Sequence, residues 1–239
     1  MDLKDSIRNR IWKLMESRDI ATFPRPVYGR IPNFKGAEIA SRRVLELQEW
    51  RVAKVVFISP DSPQRPLRKL ALKQGKVVIV PTPRLREGFI VLEPRSLPKR
   101  ILTFVSTIKG AFKYGKKVEL RKLPKVDLMV TGSVAVDVYG TRVGKGGGYS
   151  ELEYAILKEL KLISEITPII TTVHDVQVLR QRIPRSPYDL GIDYIVTPNR
   201  IIRCLNPRPK PKGIYMEFLD NKKLEEIPVL KELIEHKRT

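Results

Sequence analysis

Five short runs rich in β-branched residues punctuate the chain: AKVVFISP (53–60), KVVIVPTP (76–83), VDLMVTGSVAV (126–136), TPIITTV (167–173) and DYIVTP (193–198). They are nearly continuous apolar stretches rather than alternating ones, which is the pattern of strands covered on both faces of a parallel sheet. Helical periodicity fills the intervals at 35–49, 66–74 and 151–162. Strand–helix–strand repetition predicts an α/β fold, a three-layer α/β/α sandwich with a mostly parallel doubly wound sheet. Ligands of such sheets sit beyond the carboxyl ends of the strands. A first helix over 3–18 places Leu3, Ile7, Ile11 and Leu14 along one stripe. Near the other end, NPRPKPKG (206–213) reads as an extended basic connector, followed by an amphipathic helix over 222–237 that packs back or extends. The organisation expected is therefore an α/β domain over 1–205 and a basic connector with a C-terminal helix over 206–239. The sequence has no internal repeat.

Composition narrows the setting. A 42% hydrophobic share of 239 residues supplies one large core. No stretch approaches the roughly 20 apolar residues that span a bilayer, so no membrane role is expected. Charge interrupts every turn of the N-terminal segment, which therefore lacks the apolar centre of a signal peptide. The single cysteine, Cys204, cannot form an intramolecular disulfide, and a cytoplasmic setting is expected. The net charge of +20 attracts polyanions, with RNA as one candidate partner and a small, highly charged anion such as ATP as another. Neither zinc-ligand spacing nor an RNP-type aromatic stripe accompanies that charge.

The strongest local signal is VTGSVAVDVYGTRVGKGGGYSELEYAIL, in which four glycines fall within five residues between a strand and a helix. Glycines let backbone N–H groups turn toward an anion, and the start of the following helix adds the positive end of its dipole. Lys145 supplies a mobile charge for phosphate oxygens. The loop is not a Walker A motif: Gly140 stands one residue too close to Gly144-Lys145, and no Ser or Thr follows the lysine. Nor is it GxGxxG, because Tyr149 occupies the place of the third glycine. Lys4 and Arg8 form a second signal. Like charges one helical turn apart repel by roughly 0.2–0.5 kcal/mol unless an anion lies between them, and by spacing alone they read as a solvated basic face. A third is the carboxylate set Asp61, Glu151, Asp175, Asp189 and Asp193. Asp61 and Asp175 follow strand ends, so both are expected at the edge of the sheet that carries the glycine loop. Carboxylates there suit Mg²⁺, while capping and turn formation are their ordinary alternative uses. His174 reads as a strand-end hydrogen bonder.

Together these segments resemble the 5-formyltetrahydrofolate cyclo-ligase (methenyltetrahydrofolate synthetase) family, and most closely its branch of methenyltetrahydrofolate-synthase-domain-containing proteins. The resemblance runs to about Cys204. It is carried by Lys4 and Arg8, RPVYGRIPNFKGAEIA, PDSPQRPLRKLALKQGKVVIVPTPRLR, the glycine-rich block, TTVHDVQV and DYIVTPNRII. It implies a ligase that uses ATP and Mg²⁺ to convert 5-formyltetrahydrofolate, or a related formyl pterin, to 5,10-methenyltetrahydrofolate. On that resemblance Lys4, Arg8, Gly144, Lys145, Gly146, Gly147, Gly148 and Tyr149 hold the nucleotide, with Lys145 and Arg8 in catalytic roles. Asp61 meets the folate, and Glu151 and Asp189 serve the metal. The chain departs from the family pattern where Gly-Tyr-Tyr-Asp becomes Gly148-Tyr149-Ser150-Glu151 and where the folate-contacting Glu becomes Asp61. The methionine-bearing folate segment is not recognisable in RLREGFIVL. A non-catalytic, basic nucleotide- or RNA-binding protein on the same fold is the alternative reading, and ATP-dependent chemistry on a different carboxylate or amide is a third.

Overall fold

The computed structural model describes residues 2–205, 209–219 and 221–238. The chain opens with helix α1 (Leu3–Ser17), then α2 (Ala37–Arg43), α3 (Gln48–Val52), β1 (Val55–Ile58), α4 (Arg65–Lys73), β2 (Val77–Pro81) and β3 (Phe89–Leu92). It continues through α5 (Leu102–Val105), α6 (Ile108–Tyr114), β4 (Lys116–Lys117), β5 (Leu128–Thr131), β6 (Ala135–Asp137), β7 (Arg142–Val143) and α7 (Tyr149–Glu159). Strands β8 (Ile169–Thr172), β9 (Val178–Leu179), β10 (Tyr194–Val196) and β11 (Ile201–Arg203) follow, then helices α8 (Asn221–Glu226) and α9 (Pro228–Arg238).

The main sheet has the order β11-β10-β8-β5-β1-β2-β3-β4. Its neighbours from β10 to β2 pair in parallel, while β11, β3 and β4 join antiparallel at the margins. Strand alternation explains why the apolar runs are continuous. Phe57, Ile79, Met129, Ile169 and Ile195 enter one hydrophobic cluster with α7, while Val56, Val78, Val130, Ile170 and Val196 enter another with α4. Both faces are therefore dry, and the expected three-layer α/β/α sandwich is the fold observed. Ile227, Val229, Leu230 and Leu233 join the α7 cluster, so the C-terminal helices pack back on the sheet.

Four expected elements differ. The helix expected over 222–237 is two helices, α8 and α9, parted at Ile227, because Pro228 has no N–H to continue the first. The run 126–136 is two strands in two sheets, because the chain leaves the main sheet at Gly132, where a Cβ would meet Ile31, Gln64 and Asp61 at 2.7 to 3.2 Å. There β6 turns into a small sheet of order β7-β6-β9. The helix expected over 35–49 breaks at Leu47, whose extended backbone (ψ 133°) separates α3 from the preceding turns. On α1 the buried stripe is rotated: Ile7, Ile11, Trp12 and Met15 are buried, whereas Leu3 is half-exposed. Trp12 is held there by donating its indole N–H to the Arg30 carbonyl at 2.9 Å. The stripe packs against Val134, Ala135 and Val143 of the small sheet. That packing brings the N-terminal helix to the glycine loop.

Candidate functional site

The sheet reverses its winding between β1 and β5, since the chain runs from β1 outward to β2 on one side and returns to β5 on the other. Crevices at such a reversal, beyond the carboxyl ends of the strands, are where doubly wound sheets bind ligands. Asp61 follows β1 and Gly132 follows β5, and the glycine loop descends toward both. Lys145 Nζ lies 3.5 Å from Asp61 Oδ1.

A cleft of about 470 Å³ opens beside this edge. It is bordered by Lys4 and Arg8 of α1, by Arg142, Gly144, Gly146, Gly148 and Glu151, and by Arg185, Tyr188 and Asp189 of the segment before β10. The loop follows from its glycines. Gly146 and Gly148 have φ of +104° and +68°, a conformation that strains any residue with a Cβ, and a Cβ on Gly144 would lie 2.6 Å from the Arg142 guanidinium. Gly148 is the N-cap of α7, and no side chain among the described residues caps that helix. Its first N–H groups and the positive end of its dipole therefore face the loop side.

The cations are placed by hydrogen bonds. Asp2 caps α1 by accepting the Lys4 backbone N–H. Lys4 Nζ contacts Asp189 Oδ2 at 2.5 Å, and the same oxygen accepts the Ser186 N–H at 2.6 Å. Arg8 donates from Nε to the Gly144 carbonyl at 2.7 Å and pairs with Asp5. Its Cζ lies 3.8 Å from where a Cβ on Gly146 would stand. Beneath the loop, the buried Arg142 pairs with Glu151 through Nη1 and donates from Nη2 to the Gly132 carbonyl at 2.9 Å. That one side chain joins the end of β5, the glycine loop and the first turn of α7.

Two buried groups frame the site from behind. Asp137 accepts the N–H groups of Tyr139 and Thr141 through Oδ1, and that of Ile183 through Oδ2. This fastens the segment carrying Arg185, Tyr188 and Asp189 to the small sheet. Arg68 donates to the Ser59, Asp61 and Ser106 carbonyls and so fixes the turn that presents Asp61.

Glu153 lies on the inner side of α7 with Oε2 finding no partner among the described residues. Burial, reinforced by the negative charges of Asp61 and Glu151, pushes its carboxyl well above the usual range despite Arg142 and Lys145. A raised folded value means that the native state holds a proton the unfolded chain has lost. Stability therefore falls as pH rises from the ordinary glutamate value, about 4.3, toward the raised one. Glu153→Gln mimics the neutral acid. It is expected to be close to neutral at pH 5 and increasingly stabilising relative to the parent toward pH 8. Urea denaturation at the two pH values measures this, and parallel shifts at both would contradict it.

The sequence-expected residues divide as follows. Lys4, Arg8, Gly144, Gly146, Gly148, Glu151 and Asp189 border the one cleft. Lys145 turns to Asp61 at its side. A Cβ on Gly147 would stand 2.8 Å from the Tyr149 ring, and that ring packs partly on the α7 core cluster. Asp175 follows β8, which runs parallel to β5, and so lies at this edge as expected, but it is outside the cleft lining: it accepts from Thr197 and Asn199 and pairs with Arg200. Asp193 accepts the Ile169 N–H and pairs with Lys210 at the opposite ends of β8 and β10. His174 caps the turn after β8 through Nδ1, as its strand-end reading implies, and burial holds it below the usual histidine range. Arg142, Arg185 and Tyr188 were not singled out in the sequence. The i,i+9 spacing of Arg142 and Glu151 across a glycine loop was the available sign for the first. Of the connector, residues 206–208 lie outside those described, while Lys210 is tied to Asp193 at 2.7 Å and to the Glu165 and Thr167 carbonyls.

The fold and cleft define an α/β protein whose sheet carries, at its carboxyl edge, a glycine-rich cleft lined by paired basic and acidic side chains. The sequence matches the family described as the 5-formyltetrahydrofolate cyclo-ligase family over residues 1–198, and the chain belongs to that family. It is 45% identical over 240 residues to a mouse methenyltetrahydrofolate synthase domain-containing protein, covering 98% of this chain and 64% of that one. The human protein of the same name is 41% identical over 235 residues, covering 96% of this chain and 61% of that one. This chain thus spans less than two thirds of the length of these relatives. The solution structure of an Aquifex aeolicus 5,10-methenyltetrahydrofolate synthetase superposes with a TM-score of 0.54 at 20% identity, covering 92% of this chain and all of that one, a likeness of fold. No helix among the described residues is long and apolar enough to cross a membrane.

Proposed function

We propose that the cleft binds the phosphates of Mg·ATP and that the chain uses it to cyclise 5-formyltetrahydrofolate, or a related formyl pterin, to the 5,10-methenyl form. The observation that carries this reading is the meeting of Lys4 and Arg8 with a glycine loop and an α7 N-terminus that no described side chain caps. Phosphoryl transfer demands positioned charge more than a protein nucleophile, which agrees with a cleft lined by arginine, lysine and carboxylates and no histidine. Bound ATP supplies the phosphoryl group that activates the formyl oxygen, leaving ADP. N10 then forms the new C–N bond, loses its proton, and phosphate departs with that oxygen.

The roles of the chain's own residues follow from position. Lys4, Arg8 and the loop N–H groups hold phosphate oxygens, and Lys145, at the border between the loop and Asp61, faces the transferred group. Asp61, beside Lys145, is the residue assigned to the folate. Mg²⁺ takes only one or two carboxylates when phosphate oxygens complete its shell. Glu151 Oε1 is paired with Arg142 and Asp189 Oδ2 with Lys4, so the second oxygen of either carboxylate would hold Mg²⁺, whose charge would offset that of the phosphates.

The test is incubation of the purified protein with Mg·ATP and 5-formyltetrahydrofolate. Stoichiometric ADP and methenyl product are expected. Folded protein that binds ATP yet forms neither product removes the reaction and leaves a nucleotide-binding protein on this fold.

A further inference from the structure

The phosphate cleft does not end at the glycine loop. A second cavity of about 190 Å³ adjoins it, sharing Gly146, Gly148, Glu151 and Tyr188 as a common border. Its far side is apolar and aromatic: Leu152 and Ala155 of α7 form the floor, with Ile214, Tyr215, Phe218 and Leu219 opposite. Tyr188 and Phe218 pack with ring centroids 4.7 Å apart, and Tyr215 lies 6.3 Å from Phe218. Half of Phe218 is still exposed, which leaves an aromatic surface available at the mouth.

The wall that carries Tyr215 and Phe218 belongs to a segment beyond residue 198, where the family match ends. Its position is built by specific bonds. Arg185 donates to the Pro209 carbonyl at 2.9 Å, Lys210 is bound by Asp193, and the Ile214 N–H donates to Glu159 Oε1 of α7 at 3.1 Å. From α8, Lys223 Nζ reaches to 3.4 Å from where a Cβ on Gly148 would stand, so a cation of this segment overhangs the loop.

We propose that this aromatic cavity seats the purine base of the nucleotide, so that the C-terminal segment completes the nucleotide site begun by the glycine loop. The inference rests on the phosphate reading of the main cleft. Size supports it: pockets for whole drug-sized ligands start at about 300 Å³, whereas this one suits a single flat ring system. Chemistry supports it as well, because an aromatic wall opposite aliphatic side chains stacks any purine face, and the shared border puts that ring within a nucleotide's length of the phosphates.

The experiment compares Mg·ATP with magnesium tripolyphosphate, which has the phosphates and no base, by calorimetric titration of the full chain and of Phe218→Ala and Phe218→Tyr. Phe218 is half-exposed, so truncation spares the core, and circular dichroism verifies the fold. The parent is expected to bind ATP more tightly than tripolyphosphate. Phe218→Ala is expected to weaken ATP about tenfold, with tripolyphosphate unchanged and Phe218→Tyr close to the parent. ATP binding no tighter than tripolyphosphate in the parent would overturn the base site and leave the phosphate site standing. Equal losses for both ligands in Phe218→Ala, or no loss for either, would also overturn it. Failure of the parent to bind either ligand would overturn both readings together.

Discussion

Replacing Arg142 with leucine is expected to destabilise the protein by about 3 kcal/mol or more and to abolish measurable nucleotide binding. The guanidinium is buried, and it simultaneously pairs with Glu151 and satisfies the Gly132 carbonyl. Its removal leaves a carboxylate facing the cleft without its cation and a buried carbonyl without its donor. The loss of affinity has a separate origin, because Arg142 lies against Gly144 and sets the path of the loop. A lower urea midpoint at unchanged slope measures the first effect, and titration with Mg·ATP the second. The double variant Arg142→Leu with Glu151→Leu should recover part of the stability and none of the binding, since stranding one charge costs more than removing both. A loss below about 1 kcal/mol for the single variant would show that the pair is already solvated.

How much of this site was legible in the sequence depended on whether its information was local. The glycine loop and the helix after it announce themselves because backbone conformation at Gly146 and Gly148 restricts the residue type directly. Strands β1, β2, β8 and β10 were legible for a related reason: burial on both faces forces continuous apolar runs. Tertiary features left weaker traces. Lys4 and Arg8 by spacing alone look like any basic helical face, and only the packing of Ile7, Ile11 and Met15 against the small sheet turns them toward the loop. Arg142 sits in a two-residue strand with no periodicity to betray its burial. The break of the 126–136 run at Gly132 reflects crowding by Ile31, Gln64 and Asp61, residues 68 or more positions away in sequence, and no window of the sequence contains that collision. Asp175 follows a strand end just as Asp61 does, yet the turn after β10 claims it through Thr197 and Asn199. Strand-end position selects candidates, and the neighbouring turn decides among them.

The contrast between Arg8 and Lys145 gives the second large effect. Both are cations beside the same loop, but they are anchored differently. Arg8 is mostly buried and fixed by its bond to the Gly144 carbonyl, whereas the Lys145 side chain is 45% exposed and meets Asp61 only at 3.5 Å. A planar guanidinium held in place loses little freedom on meeting a phosphate, while a flexible ammonium in water is screened and must be ordered first. Arg8→Ala is therefore expected to weaken Mg·ATP binding by about 10- to 100-fold, in line with charged hydrogen bonds contributing roughly 1.5–3 kcal/mol. Lys145→Ala should weaken binding by only a fewfold, with little change in stability, and should act mainly on the turnover rate if it faces the transferred group. Arg8→Lys should fall between the parent and Arg8→Ala, because it keeps the charge and loses the Nε–H that engages the loop carbonyl. Titrations at low and high salt separate the two kinds of cation: the Lys145 contribution should fade with added salt, and most of the Arg8 contribution should persist. If Lys145→Ala proves the more damaging to affinity, the loop's lysine and not the N-terminal helix holds the phosphates, and the anchoring argument fails.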